Sequence, residues 1–406
     1  TQVEVWGAPR LRFRAGGVVL GSAGMDAPLL LADLPWPSFR EVVAAHGVSE
    51  VVARRLFSRV HHPARAGGAD IEEVLASTPG LLRQSRLSLR SAARLPTLTV
   101  VERRQASDGF VKYLFRLEDG AAVEAVRIPL PDPEDARALK DRRRAGLAAP
   151  LEALPARKYV VCVSSQVGCA LACDFCATGR LGAIRNLRTW EILEQVRLVA
   201  REGDHDVRGV VFMGMGEPFL NYDNVIGAAR VFSDPAGFAI ASKAITISTA
   251  GVVPMIRRYT RDGHRYRLIV SLGAPDSAQR LPLMPIERRW PLPELMEAVR
   301  DYVRATGDRM TFAYVAIGGV NVSPAHAETL VGLLAGLKAK ISLIDVSDET
   351  GAYHPPGDEE IACFRAVLGA AGIPVVRRYS GGKDIGAACG TLSASQQGGQ
   401  LVALRR

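Results

Sequence analysis

The sequence predicts an α/β protein built around a parallel sheet of strand–helix units that curves into a full or partial barrel. From residue 159 onward, apolar segments of strand length alternate with segments of helical periodicity, a pattern typical of βα units. Before this region, residues 98–130 alternate apolar and polar side chains around two Asp-Gly pairs, which are typical of hairpin turns. Residues 28–96 show the spacing of short amphipathic helices, each opened by Ser, Asp or Pro.

The predicted strands of the barrel are apolar segments that read, in order, YVVCVSS, VRGVVFMGM, AITIST, RLIVSL, MTFAYVAI, ISLIDVS and IPVVRRYS. Helices are predicted over TWEILEQVRLVARE and NYDNVIGAARVF, and near residues 292–305, 325–337 and 359–371. In barrels of this kind the chemistry lies at the carboxyl ends of the strands. The motifs that directly follow a strand are therefore the candidate site residues.

These patterns divide the chain into five parts. Residues 1–97 form an N-terminal helical accessory domain, and residues 98–130 form a hairpin segment of two or three antiparallel strands. Residues 131–158 are charged, proline-bounded and poorly periodic, as expected of a linker or surface insertion. The barrel core covers 159–395, and 396–406 is a C-terminal tail.

Composition indicates a globular protein with a polyanionic partner. The 406 residues are 48% hydrophobic and 23% charged, and the N-terminal residues lack the apolar core of a secretory signal. We therefore expect a cytoplasmic monomer without a membrane segment. The net charge of +9 is carried mainly by arginine, which binds phosphates in a bidentate way. A basic stripe at helical spacing favours nucleic acid, although a solvated helix face explains it equally well; it comprises Arg83, Arg86, Arg90 and Arg94.

Three cysteines stand close together directly after the first barrel strand. Cys169, Cys173 and Cys176 occur in GCALACDFC with the spacing C-x3-C-x2-C. Three thiolates on one loop can hold three irons of a four-iron cluster and leave the fourth iron free to bind a small molecule. The alternative is a zinc site, but zinc motifs pair two cysteines with a second distant pair, and no such pair follows.

With these motifs the chain resembles the RlmN/Cfr family of radical S-adenosylmethionine (SAM) enzymes, which methylate a ring carbon of adenine in RNA. The resemblance spans roughly residues 28–395 and rests on CVSSQVGCALACDFCATG, RNL, FMGMGEPFLNYDNV, ISTAGVVP and DIGAACGTLSA, in this order. The triplet alone would indicate only a radical SAM enzyme, whereas the added Cys162 and Cys389 narrow the match to this family. The implied fold is a partial (β/α) radical SAM barrel with a helical accessory domain and a small β-hairpin.

The resemblance also implies cofactors, partners and a reaction. One [4Fe–4S] cluster on the three cysteines, SAM, and an electron donor such as flavodoxin or ferredoxin are expected. One SAM would methylate Cys389, and a second would be cleaved to a radical that takes a hydrogen atom from that methyl group. The carbon would then add to the adenine ring. Glu124 would remove the ring proton, and Cys162 would release the product by forming a disulfide bond with Cys389.

Further positions are implied to bind SAM. Gly216 and Glu217 form a turn that approaches the amino group of SAM, with the carboxylate of Glu217 pairing with it. Strand-end positions are expected to contact its carboxylate or ribose, namely Ser248, Ser271, Leu272, Gly273 and Ser347. Cys363, in the helical segment IACFRAVL, is assigned to the hydrophobic core.

Four positions depart from the family pattern. Gly273 stands where the family has His in SLHAP, Ser347 where it has Asn, and two carboxylates flanking the next strand are replaced by Ala313 and Val322.

The leading hypothesis is methylation of carbon 2 of an adenosine in 23S ribosomal RNA, with tRNA as a second target. Methylation of carbon 8, a diverged radical SAM enzyme with a non-RNA substrate, and a non-catalytic RNA-binding or iron–sulfur protein are the alternatives.

Overall fold

A computed structural model of the chain describes residues 28–63, 70–130, 158–202 and 206–393. Almost all of the predicted 131–158 insertion and the whole 396–406 tail lie outside the described residues, as do residues 1–27. Across the described ranges, no helix combines the length and the apolar character that a membrane-spanning segment requires.

The N-terminal part is a small helical domain closed by a two-stranded parallel ladder. Phe39 and Phe57 meet edge to face at its centre, with ring centroids 5.1 Å apart, and both are fully buried. Aromatic pairs in this geometry add to the stability gained by burial alone. Asp70 caps the third helix by accepting the N–H of Glu72 at 2.9 Å. The elements are β1 (Leu29–Leu30), α1 (Trp36–Ala45), α2 (Glu50–His61), α3 (Ile71–Ala76), α4 (Arg83–Ala92) and β2 (Ala93–Arg94).

A ten-stranded sheet forms the main body, in the order β14-β13-β12-β11-β10-β9-β6-β5-β4-β3. Strands β6 and β9 to β14 run parallel, and β5, β4 and β3 continue the sheet antiparallel. The first and last strands are not paired with each other, so the barrel is partial, which confirms the predicted fold class. The strands are β3 (Thr99–Gln105), β4 (Val111–Arg116), β5 (Ala122–Leu130), β6 (Lys158–Cys162), β9 (Asp206–Phe212), β10 (Ile245–Thr249), β11 (Arg267–Ser271), β12 (Met310–Ala316), β13 (Ala339–Asp345) and β14 (Val375–Arg378).

Helices follow the parallel strands, as the βα pattern predicts. Three of them, α5, α8 and α9, are absent from the sequence prediction. Helices α5 and α9 have only 4 and 7 residues, too few for a helical period to be recognised, whereas α8 does bury Val253, Ile256 and Tyr259 on one face. A small hairpin of β7 (Gln166–Gly168) and β8 (Ala183–Asn186) was also not predicted. The helices are α5 (Ala177–Arg180), α6 (Thr189–Glu202), α7 (Tyr222–Ser233), α8 (Val253–Asp262), α9 (Ser277–Leu283), α10 (Leu292–Thr306), α11 (Pro324–Leu333) and α12 (Asp358–Ala370).

The predicted hairpin segment has three strands and is continuous with the barrel sheet. Strand β5 pairs with β6, and Val126 stands opposite Cys162 in that ladder. Because side chains alternate between faces, Glu124 lies on the same face as Val126 and Cys162. The hairpin therefore contributes a wall of the barrel.

Two sequence-based interpretations change in the structure. Cys363 is exposed, which corrects its assignment to the core: α12 buries Ile361, Phe364 and Leu368, and residue 363 falls on the opposite side of the helix. The basic stripe is also partly neutralised, because Arg90 pairs with Glu72 and Arg94 pairs with Glu118. An RNA-binding role of the helical domain stays a prediction.

Arg54 joins the helical domain to the barrel. Its guanidinium donates two hydrogen bonds to Asp234, at 2.6 and 3.0 Å, and lies 4.6 Å from the centroid of the Trp36 ring. Bidentate arginine–carboxylate pairs are among the stronger hydrogen bonds in proteins. This contact assigns Arg54 to the domain interface.

We predict that Arg54→Ala lowers the stability of the full chain by about 1.5–3 kcal/mol, since charge-assisted hydrogen bonds are lost. Thermal melting measures the change. The control is Arg40→Ala, which removes an exposed pair with Glu50 at 3.3 Å and should cost less than about 1 kcal/mol. Equal losses in the two variants would show that Arg54 does not join the domains.

Candidate active site

The three cysteines of the triplet lie on a loop between β7 and α5. Cys169 follows β7 directly, and its N–H donates to the Gly182 carbonyl at 2.8 Å. The N–H of Cys176 donates to the Cys173 carbonyl at 3.1 Å, which makes a tight turn between these two ligands. The β7–β8 hairpin thus holds the beginning of the loop at Cys169.

The three cysteines of this loop are partly buried. Burial raises the pKa of Cys169 to about 12, and it also raises the pKa of Cys173 well above its usual value. The other thiols of the triplet raise the pKa of Cys173 further, which shows that the three groups lie near one another. Bound cations lower thiol pKa values, so metal binding would deprotonate these ligands.

The donor set of three thiols on one loop is chemically suited to the irons of an iron–sulfur cluster. Within the described ranges, no three His, Cys, Asp or Glu side chains converge closely enough to ligate one ion. In a four-iron cluster each thiolate binds a different iron, so the sulfurs stand farther apart than around zinc. Cys169, Cys173 and Cys176 are the residues that would hold such a cluster.

Cys162 and the Cys389 loop lie in the same region of the sheet, because Glu124, which shares a face with Cys162, accepts the N–H of Ser393 at 2.9 Å. Cys162 is the buried last residue of β6, and burial raises its thiol pKa, with the charge of Cys389 as the second cause. Cys389 retains exposed surface, while the surrounding protein raises its pKa and the charge of Arg378 lowers it. Cys176 acts electrostatically on Cys389 as well. All six cysteines are free thiols in this structure, so the implied disulfide is not formed here.

The loop that carries Cys389 is hydrogen-bonded to the segment that follows the cluster cysteines. The N–H of Ala177, next to Cys176, donates to the Gly390 carbonyl at 2.7 Å. The Thr178 hydroxyl donates to the Leu392 carbonyl at 2.5 Å. These bonds place the residues after Cys176 directly against the residues after Cys389.

The hairpin segment holds the same loop from the other side. The Asp108 carboxylate accepts the N–H of Gly382 at 2.9 Å and the Tyr379 hydroxyl at 2.8 Å. The N–H of Ser393 donates to Glu124 Oε2 at 2.9 Å. The Cys389 loop therefore lies between the cluster loop and the β3–β5 wall.

Glu124 is a buried carboxylate at this contact. Only 3% of its side chain is exposed, and Oε1 pairs with the Lys112 ammonium at 3.1 Å. The sequence analysis did not identify Lys112 as a site residue. It stands opposite Val126 in the β4–β5 ladder, so period-2 alternation in VKYLF could have indicated that it shares a face with Glu124.

The Gly216 turn packs tightly against the segment that precedes the cysteine loop. Gly216 has φ +98°, and a Cβ there would lie 2.6 Å from the Gln166 Cβ. Only glycine fits this position without strain. The Gln166 side chain also accepts the N–H of Glu217 at 2.8 Å, so the turn is fixed to β7.

Glu217 connects the ends of two strands. Its carboxylate accepts the N–H of Phe219 at 2.9 Å and of Ala250 at 2.8 Å. Burial raises its pKa to about 7, against the effect of these two hydrogen bonds. Both oxygens are already bonded within the protein, and pairing of Glu217 with SAM stays a prediction.

The remaining candidate SAM residues line the carboxyl ends of the following strands. Ser248 and Ser271 are half-buried, and their hydroxyl oxygens lie 3.5 Å apart. The Ser347 hydroxyl is buried without a hydrogen-bond partner, which leaves it available to a ligand. Leu272 is fully buried and its backbone groups bond Ala313 and Arg280, so packing explains it; its contact with SAM stays a prediction.

The Arg280 side chain stabilises the loops that follow two of these strands. The side chain is fully buried and pairs with Glu287 at 2.5 Å. It donates to the carbonyls of Ala250 at 2.6 Å and Leu272 at 3.0 Å. One guanidinium thus joins the loops after β10 and β11. Sequence alone does not reveal this role, because an arginine in a short polar helix is usually exposed.

Comparison with known proteins agrees with this arrangement. The family model of the Radical SAM superfamily matches residues 163–330. A probable RNA methyltransferase of Myxococcus xanthus is 48% identical over 92% of this chain and 96% of its own length. The dual-specificity RNA methyltransferase RlmN of Syntrophobacter fumaroxidans is 38% identical over 90% of this chain and 98% of its own.

A solved structure shares the fold over almost the full length. The crystal structure of a radical SAM methyltransferase from Sphaerobacter thermophilus has a TM-score of 0.77 and 38% identity, and it covers 91% of this chain and 100% of that one. Identity at this level over nearly the whole chain confirms the resemblance noted in the motifs. The chain belongs to the RlmN/Cfr family of radical SAM enzymes.

Proposed function

We propose that this protein is an RNA methyltransferase that adds a methyl group to carbon 2 of an adenosine in 23S ribosomal RNA, with methylated Cys389 as the carrier. The observation that carries the proposal is the placement of Cys389 beside both Cys162 and the cluster loop. In a sulfur relay, one cysteine carries the methyl group and a second cysteine releases the product. Such a reaction requires two sulfurs close to one radical-generating centre.

Cys389 is the group that carries the methyl in this proposal. Its sulfur loses the thiol proton and accepts the methyl group of SAM: a carbon–sulfur bond forms at Cys389, the methyl–sulfur bond of SAM breaks, and S-adenosylhomocysteine leaves. When bound, the cluster and a second SAM would supply the one-electron chemistry, which is the removal of a hydrogen atom from this methyl group and the uptake of the unpaired electron left on the ring after the carbon has added. The exposed surface of Cys389 gives the adenine ring access to the activated carbon.

Cys162 is proposed to end the reaction. Its sulfur attacks the Cys389 sulfur, a disulfide bond forms, and the bond from Cys389 to the transferred carbon breaks. The electron pair of that bond stays with the carbon, which takes up a proton to become the product methyl group. A reductant restores the two thiols. Burial disfavours the Cys162 thiolate, so this step requires removal of its proton within the site.

Glu124 is the proposed acceptor of the ring proton. Lys112 and the Ser393 N–H hold its carboxylate, at 3.1 and 2.9 Å, on the face of the sheet that carries Cys162. A fixed carboxylate close to the reacting carbon is suited to general base catalysis. Lys112 is a positioning residue in this scheme.

An RNA substrate is supported by the relatives and by charge. The relatives from Myxococcus xanthus and Syntrophobacter fumaroxidans are both named RNA methyltransferases, and this chain has a net charge of +9. Transfer RNA is proposed as a second target on the same grounds. Ring carbon 8 is the competing position, since the geometry of the sulfurs serves either carbon.

Three of the four positions that depart from the family pattern are surrounded by apolar packing. Ala313 is buried against Ile269 and Ile344, and Val322 is fully buried. At Gly273, where φ is +76°, a Cβ would lie 2.4 Å from the Met284 sulfur, so Met284 fills the space of the missing side chain. Apolar packing replaces the polar groups at these three positions.

The proposed function is tested by anaerobic reconstitution of the cluster, followed by incubation with ribosomal RNA fragments and SAM labelled in its methyl group. Nucleoside mass spectrometry is expected to find label on carbon 2 of adenosine. Label on carbon 8 would assign the other product. Label confined to Cys389 would exclude RNA as the substrate, and SAM cleavage without protein methylation would exclude the relay.

Cys162→Ala is expected to leave methyl transfer to Cys389 intact and to trap the RNA, because no second thiol can release it. Denaturing electrophoresis with labelled RNA measures the covalent adduct. Cys363→Ala serves as the control, since that thiol is exposed on α12. Free methylated RNA from Cys162→Ala would contradict its role.

Glu124→Gln is expected to lower RNA methylation by about 10²–10⁴-fold, the usual contribution of a general base. Methyl transfer to Cys389 in the absence of RNA should persist, because that step needs no ring proton acceptor. Labelled SAM measures both steps. Lys112→Arg should retain activity, since guanidinium can pair with the carboxylate; equal loss of both steps in Glu124→Gln would indicate a structural role instead.

Gly273→Ala is expected to destabilise the protein through its positive φ and its contact with Met284. In the double variant Gly273→Ala/Met284→Ala the loss should be smaller than the sum of the two single losses, because contacting residues are not additive. Thermal melting of the four proteins measures this coupling. Additive losses would show that Met284 does not occupy the side-chain space.

A further inference from the structure

The inner face of the last four strands carries a group of cations apart from the catalytic sulfurs. Hydrogen-bonded partners in adjacent strands point to the same face of a sheet. Thr311 is the partner of both Ile269 and Lys340, and Ile344 is the partner of Arg378. Because residues two apart share a face, these positions belong to one surface. We call it the cationic face; it comprises Arg267, Arg309, Lys340 and Arg378.

The four charges lie close enough to affect one another. Burial lowers the pKa of Lys340, and the charges of Arg267, Arg378 and Arg309 lower it further. The pKa of Arg378 is lowered by burial and by Arg267, and raised by Cys389. The cationic face therefore extends through the barrel interior from the beginning of β11 to the neighbourhood of Cys389.

No carboxylate neutralises this surface in the part of the chain that the structure describes. The inward positions of β11 to β14 are otherwise apolar or hydroxyl-bearing, comprising Ile269, Ser271, Thr311, Ala313, Val315, Ser342, Ile344 and Val376. The contrast with the adjacent Arg377 is direct: on the opposite face it pairs with Asp345 at 2.9 Å and Asp358 at 3.5 Å.

An unpartnered hydroxyl provides an independent indication of a ligand. Ser342 lies on the cationic face, two residues from Lys340 and opposite Val376. The residue is only 4% exposed, and its Oγ has no hydrogen-bond partner. Buried polar groups are normally satisfied, so a hydroxyl of this kind is expected to bond something that enters the barrel.

We propose that the cationic face is a binding site for a phosphate group. Arg267, Arg309 and Arg378 are exposed and Lys340 is half-buried, and none of the four has an ion-pair partner among the described residues. Such cations repel one another, and an anion with several acceptor oxygens relieves this repulsion. Guanidinium groups match the oxygens of phosphate in a bidentate way, and the Ser342 hydroxyl can donate to another oxygen. The phosphate belongs either to an RNA strand inserted into the barrel or to free inorganic phosphate; the RNA assignment rests on the proposed function.

The test compares charge deletions inside and outside the barrel. Lys340→Met and Arg267→Met each remove one cation of the face, and Ser342→Ala removes the hydroxyl. Arg304→Met is the matched control, because Arg304 is an exposed residue of α10 that pairs with Asp301. Each full-length protein is melted in inorganic phosphate and in chloride at equal ionic strength. Binding of a single-stranded RNA oligonucleotide is then measured over a range of chloride concentrations.

Inorganic phosphate is expected to raise the melting temperature of the wild type and of Arg304→Met above the values in chloride. Lys340→Met and Arg267→Met should bind phosphate about tenfold more weakly, as loss of one charge-assisted hydrogen bond implies. Without phosphate these variants should melt no lower than the wild type, since repulsion has been reduced. Ser342→Ala should also weaken the phosphate effect.

The RNA measurement distinguishes the two sources of phosphate. If an RNA phosphate occupies the face, the plot of the logarithm of RNA affinity against the logarithm of chloride concentration should become shallower. Its slope should fall by about 0.7 for each cation removed and should not change in Arg304→Met. An unchanged slope with an intact phosphate effect would assign the site to free phosphate. The proposal would be overturned if the wild type has the same melting temperature in phosphate and in chloride and all variants show the same salt dependence of RNA affinity. The melting experiment does not depend on catalysis. Stabilisation by phosphate would therefore support the binding site even if the protein methylates no RNA.

Discussion

The pairing of β5 with β6 is the constraint on which the arrangement of the site depends. This antiparallel ladder places Val126 opposite Cys162 and so brings Glu124 onto the same face of the sheet. It also makes the hairpin segment a wall against which the Cys389 loop can bind, through Asp108 and Glu124. Without this ladder the two sulfurs and the carboxylate would belong to separate parts of the molecule.

The Cys389 loop is held by hydrogen bonds from both sides, and Ala387 and Leu392 join it to the hydrophobic core. Ala177 and Thr178 bond it from the cluster side, and Ser380 accepts the N–H of Cys389 itself at 3.1 Å. Segments attached through a few hydrogen bonds open at lower free energy than core strands. In the proposed reaction, local opening would let the loop present Cys389 to the substrate and return it towards Cys162.

Electrostatics divide the barrel interior into two regions. Around the cluster loop, burial raises the thiol pKa values, a bias that bound metal reverses. Along β11 to β14 the inner face is cationic and has no carboxylate among the described residues. Arg378 lies where the regions meet, since it influences both Lys340 and Cys389. A substrate that enters between them would meet a reactive sulfur on one side and positive charge on the other.

The sequence by itself determined the strands, the βα order and the chemical residues of the cluster loop, because strand periodicity and the cysteine spacing are local properties. Cys162 and Cys389 could be named only through family resemblance. Tertiary structure decided which distant groups meet: the ion pair of Lys112 with Glu124, the buried contacts of Arg280, the exposure of Cys363 and the cationic face. These depend on strand register and helix orientation. Both follow from packing across the whole sheet, and no segment encodes them alone.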